Sequence, residues 1–218
     1  MIESPTPSPG PGAPGRGLVA PWLRFALVPA ALVYGVALVL SRAGGINDLE
    51  LVIRDLAQTC KYPLGVGLIS NLGYLLWMAT AAICLFTACS EVSRPRGRER
   101  ELLLAGGLFS LLLCLDDMFL LHDRYISANV LYLLYIVFAV LILVRYRDLV
   151  LRLGGPVFVG AVLLLGTSLL FDKFQQVLPI AYGPGQLFEE GVKFLGIASW
   201  LFFWWRAAAG ASSGSHRR

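Results

Sequence analysis

A chain of 218 residues in which 57% are hydrophobic and only 15% charged, with a mean hydropathy of +0.70, is too apolar for an ordinary water-soluble domain. The net charge of +4 does not imply a nucleic-acid partner, because the basic residues cluster in short segments between apolar stretches, where they mark membrane topology. The partner these numbers point to is the lipid bilayer.

Residues 1–17 are rich in Pro, Gly and Ser and cannot bury enough apolar surface to offset the entropy of ordering, so a disordered tail is expected. No basic residue lies near the start and a long apolar stretch comes next, which argues against a cleavable signal. A spanning helix needs about 20 apolar residues, and six stretches qualify: 22–41, 65–89, 102–122, 127–144, 156–177 and 186–205. Pro29 can kink the first. Between the first two, INDLELVIRDLA (46–57) places Ile46, Leu49, Val52, Ile53 and Leu56 at helical spacing behind an Asn47/Glu50 capping box, which predicts a short amphipathic helix on the membrane surface. The expected fold is all-α: a six-transmembrane-helix bundle over 18–206, followed by a flexible tail over 207–218.

With the amino terminus inside, twelve arginines fall in cytoplasmic segments, against Arg42, Arg54, Lys61 and Arg124 outside. The positive-inside rule therefore puts both termini in the cytoplasm. The compact, arginine-rich style points to a bacterial inner membrane. Cys60, Cys84, Cys89 and Cys114 show no CxxC or disulfide pattern and read as packing residues. The run Trp200, Phe202, Phe203, Trp204, Trp205 reads as an interfacial aromatic belt.

Function is carried by ionisable residues inside spans, where charge is costly. Span three holds LDDMFLLHD with Asp116, Asp117, His122 and Asp123, span five holds Asp172 and Lys173, and span six holds Glu189, Glu190 and Lys193. From the outer ends of their spans, Asp116 lies about 9 Å deep, Asp172 about 7 Å and Glu189 about 5 Å at the helical rise per residue. Span four and the cytoplasmic halves of these helices carry no charge. One polar site under the external surface is predicted. Asp116 and Asp123 share a helical stripe from which Asp117 and His122 diverge, and Lys193 projects between the two glutamates. Ser168 aligns with Asp172, while Ser70, Asn71 and Tyr74 in span two add neutral hydrogen-bonding groups. Six carboxylates face Lys173, Lys193 and Arg124, so a bound cation, protonated carboxyls or water must offset the excess.

Glu189, Glu190 and Lys193 spell EExxK, which resembles the first motif of the PrsW-like intramembrane proteases and implies paired glutamates that activate water. The FxxxE and HxxxD motifs of that family have no counterpart here. LDD(x4)HD followed by EE is similar to a pattern in uncharacterised bacterial multi-pass membrane proteins. A single histidine within the spans does not fit the three-histidine zinc site of CREST-type hydrolases or bis-histidine haem ligation.

Three readings fit these residues. In the first, a membrane hydrolase, Asp116, Asp117, His122 and Asp172 hold a divalent metal (Zn, Mn or Fe). Glu189, Glu190 and Lys193 then act catalytically on a lipid-linked or peptide substrate. In the second, the chain is a structural or accessory subunit with a buried ion-pair network, met by a membrane-protein partner or a second copy. In the third it is a proton or metal-cation transporter, a reading weakened by the scarcity of polar residues in the inner halves of spans three, five and six.

Overall fold

The computed structural model describes residues 23–47, 60–63, 65–90, 95, 97–174 and 182–213. The tail over 1–17 and most of the surface helix expected over 46–57 lie outside the described residues. All regular structure among those described is helical, and the chain divides into two units, 1–66 and 67–218.

In the first unit, one turn of wider π-type helix (Leu23–Leu27) leads into α1 (Val28–Ala43). Pro29 stands in the opening turn of α1, directly after that wider turn, and a helix changes its bonding pattern where a proline cannot donate. The expected kink is thus a change of helix type at the start of α1.

The second unit holds α2 (Leu68–Cys89), α3 (Arg98–Phe119), a single turn Leu121–Arg124, α4 (Ala128–Arg145), α5 (Arg147–Phe174) and α6 (Tyr182–Ser213). Four of these, α2 to α5, are long and apolar enough to cross a membrane. Strictly, α5 is two helices, since Gly154 (φ 137°) interrupts it after Leu153. Large apolar side chains face outward while several polar ones lie inside. Phe86, Val144, Leu163 and Leu75 are all more than 60% exposed, whereas Thr80, Ser110, Asp116, Ser168 and Glu189 are buried.

The long helix α6 packs along α5 and α2 and also touches α3, which lies along α2, while α4 packs against α5. Small residues set these approaches. A Cβ on Gly106 would overlap the ring of Trp204, and one on Gly196 would stand 2.8 Å from Leu165 Cγ. Between them lies an aromatic core of Trp200, Phe203, Trp204 and Phe158.

This core revises two expectations. Trp200, Phe203 and Trp204 recur at i, i+3 and i+4 and are at most 1% exposed, so one face of the aromatic run is interior packing. Only Phe202 and Trp205 point outward. The tail expected to be loose from residue 207 instead continues α6 to Ser213, with Ala207 and Ala208 buried. Alanine is the best helix former, and its small side chain lets α6 close on α3 and α5.

At the basic end, Arg98 on α3 pairs with Asp148 at 3.2 Å and donates to the Arg145 carbonyl. Arg145 pairs with Glu101 at 3.1 Å, and the Tyr146 hydroxyl donates to the same carboxylate at 3.1 Å. These contacts tie the start of α3 to the junction of α4 and α5, leaving the other end of the unit to the acidic residues.

Candidate functional site

Asp116 lies in the last turn of α3, one turn before the helix stops. Leu120 adopts a left-handed conformation (φ 52°, ψ 47°), and the turn Leu121–Arg124 begins immediately after it. A non-glycine residue there is strained by roughly 1–2 kcal/mol, and the reversal folds His122 back over Asp116. The His122 backbone N–H donates to Asp116 Oδ1 at 2.9 Å, and its ring Nδ1 stands 2.9 Å from Oδ2. The continuous stripe expected to carry Asp116 and Asp123, with His122 diverging, is therefore broken; imidazole and carboxylate form a direct pair. The Asp123 side chain lies outside the described residues.

From α4, Tyr135 donates its hydroxyl to Asp116 Oδ2 at 2.6 Å. Three donors thus converge on one carboxylate whose side chain is only 6% exposed, an arrangement that orients the ring as well as the acid. Three residues earlier in the same helix, the Tyr132 hydroxyl donates to Asp172 Oδ2 at 2.5 Å.

Asp117 turns toward α2 and α6. Trp77 Nε1 donates to its Oδ2 at 3.1 Å, and Lys193 Nζ stands 2.7 Å from its Oδ1. Lys193 is 3.8 Å from Glu190. Expected to project between the two glutamates, this lysine instead bridges α6 to α3, because the Asp117 carboxylate lies within its reach. Gln186 donates to Glu189 Oε2 at 3.2 Å.

These groups share one cavity of about 440 Å³. Asp116, Asp117, His122, Asp172, Glu189, Glu190 and Lys193 all line it, as do Ser70, Tyr74 and Ser168. Asn71 is exposed and does not line it. Lys173 is exposed as well and donates to Asn129 at 2.9 Å, and Arg124 is exposed on its turn. Five carboxylates therefore line the cavity with one lysine and one histidine.

Away from the acidic end the cavity is walled by Phe109, Leu113, Ala139, Val162, Leu165 and Trp200. Trp200 is fixed by the hydrogen bond from its Nε1 to Ser110 Oγ at 2.9 Å. It meets Trp77, Phe109 and Phe158 at centroid distances of 6.3, 6.0 and 5.5 Å. The seven residues singled out by their charge all line the cavity, and so do the neutral Ser70, Tyr74, Ser168 and Gln186; the donors Tyr132, Tyr135 and Trp77 are additions that the sequence reading does not name. Tyr132 and Tyr135 are the only hydroxyl-bearing residues in the apolar run of α4, and hydroxyls at membrane depth need acceptors. That was the available signal.

Among the described residues, no three His, Cys, Asp or Glu side chains converge closely enough to hold a metal ion. Each carboxylate has its own partners: Asp116 holds His122 and Tyr135, Asp117 holds Trp77 and Lys193, and Asp172 holds Tyr132.

Fold and site together define an all-helical protein with membrane-length apolar helices and a carboxylate-lined cavity at one end of its larger unit. The chain belongs to the family described as domain of unknown function DUF8692, whose model matches residues 25–207. Neither a curated protein nor a solved structure matches it.

Proposed function

We propose that this chain is a six-span hydrolase of the bacterial inner membrane, with both termini cytoplasmic and its cavity opening toward the external side. The observation that carries the reading is the Asp116–His122 pair, 2.9 Å apart and facing a cavity that also holds Lys193. A carboxylate on Nδ1 fixes the tautomer of the ring and supports the charge that develops when the other nitrogen accepts a proton. His122 takes a proton from water as its oxygen attacks the carbonyl carbon of an ester or amide, then returns it to the leaving group as the carbonyl bond to that group breaks. Lys193 supplies positive charge to the tetrahedral oxyanion.

Two features favour a catalyst over the other readings. Toward the basic end the cavity's lining becomes apolar and aromatic around Trp200, which suits a site reached from its acidic end better than a polar transport path. A cavity of about 440 Å³ is also within the range of small-molecule sites and larger than a filled ion-pair network needs.

Purified protein in lipid nanodiscs, offered fluorogenic acyl esters, acyl amides and a peptide library, tests the proposal. His122→Ala and Asp116→Asn are each expected to lower turnover by about 10² or more. A full loss in Glu189→Gln with activity retained in His122→Ala would instead make Glu189 the base. Absence of turnover across all three substrate classes would overturn the hydrolase. A metal-dependent variant of the reading draws on the excess of carboxylates over cations; it requires stoichiometric Zn, Mn or Fe by elemental analysis, lost in Asp116→Asn and Asp172→Asn.

A further inference from the structure

The cavity changes character along its length, which bears on the kind of molecule it can hold. At one end stand Asp172, Glu189 and Glu190; at the other lie the faces of Phe109 and Trp200. On α6 ten residues separate Glu190 from Trp200, which gives a length of about 15 Å from the acidic to the aromatic end. The rim is negative on balance, since five carboxylates line the cavity with one lysine and one histidine. In a site of low dielectric an anionic head group would be repelled there, whereas an ammonium would be drawn in. Aromatic rings along the path add cation–π attraction to such a group and apolar contact to the chain attached to it.

We infer that the cavity takes a single-chain amphiphile with an amine head group, the ammonium held among Asp172, Glu189 and Glu190 and the tail ending against Trp200. This deepens the hydrolase reading and rests on the same cavity: the substrate would be a medium-chain acyl derivative of an amine-bearing head. Trp200 is then a specificity-determining residue, because its indole, pinned by Ser110, sets how long a tail fits.

The probes are n-alkylamines of increasing chain length, with n-alkyl sulfates and n-alkanols of matched length as controls. Binding to the nanodisc-embedded protein is tracked by tryptophan fluorescence, since Trp77 and Trp200 both line the cavity. Saturable binding is expected for amines alone, strongest near a chain of about twelve carbons for a pocket of this depth. Asp172→Asn combined with Glu189→Gln should weaken it at least tenfold. Trp200→Ala should move the optimum to longer chains, and Ser110→Ala, which frees the indole without removing it, should broaden it. Sulfates or alkanols binding as tightly as amines would overturn the head-group assignment, and an optimum unchanged in Trp200→Ala would overturn the ruler. Amine binding without hydrolysis of any acyl derivative would leave this inference standing and sink the hydrolase.

Discussion

Asp117 and Lys193 show what a charge at membrane depth requires of its neighbours. The Asp117 side chain is 13% exposed and that of Lys193 26%, so neither charge is well served by water, and each depends on the other. Lys193→Met strands the carboxylate, a loss of about 3–5 kcal/mol for a broken buried pair. Adding Asp117→Asn removes the stranded charge while keeping an acceptor for Trp77 Nε1. The double variant should therefore unfold at a higher temperature than Lys193→Met alone in detergent micelles; the opposite order would show that the pair is not a coupled unit. Tyr135→Phe is milder. It deletes one of three donors to Asp116 and should cost about 1.5–3 kcal/mol, the usual range for a hydrogen bond to a charged group, read from the same thermal unfolding.

At the scale of the element, helix contacts depend on where side chains are missing. Gly106 lies against the ring of Trp204, and α3 reaches α6 there only because it carries no Cβ. Gly106→Ala should cost about 1–3 kcal/mol through overpacking. Gly160 in α5 has nothing within 4 Å of where a Cβ would stand, so Gly160→Ala should gain about 0.5–1 kcal/mol from helix propensity alone. Opposite signs in the two unfolding midpoints would separate packing from propensity, and equal signs would refute the assigned contact. The long apolar helices were legible in the sequence because length and composition alone define them. The break at Leu120 was not: leucine carries no signal for a left-handed conformation, so a periodic reading ran straight through it and put His122 on the wrong side of Asp116. The acidic residues of the site were legible because charge inside a span is rare. Tyr132, Tyr135 and Trp77 were not, since aromatic residues in apolar helices are usually packing, and only tertiary contact shows which hydroxyl meets which carboxylate.

For the whole molecule, orientation decides what the cavity meets, and the chain carries its own reporters. Cys60 and Cys89 are exposed, whereas Cys84 and Cys114 are buried. Cys60 precedes the start of α2 and Cys89 is its last residue, so a spanning α2 puts the two thiols on opposite faces of the membrane. In the orientation proposed above, Cys60 faces the external side. In intact spheroplasts, a membrane-impermeant maleimide should therefore label the Cys89→Ala variant through Cys60, and label the Cys60→Ala variant through Cys89 only after permeabilisation. The acidic ends of α3, α5 and α6 lie at the Leu68 end of α2, because α3 runs antiparallel to α2 and its carboxylates stand in its last turns. Labelling of Cys89 in intact spheroplasts with Cys60 protected would invert the orientation and turn the cavity toward the cytoplasm. The substrate would then be drawn from the inner leaflet, with every residue contact in the cavity unchanged.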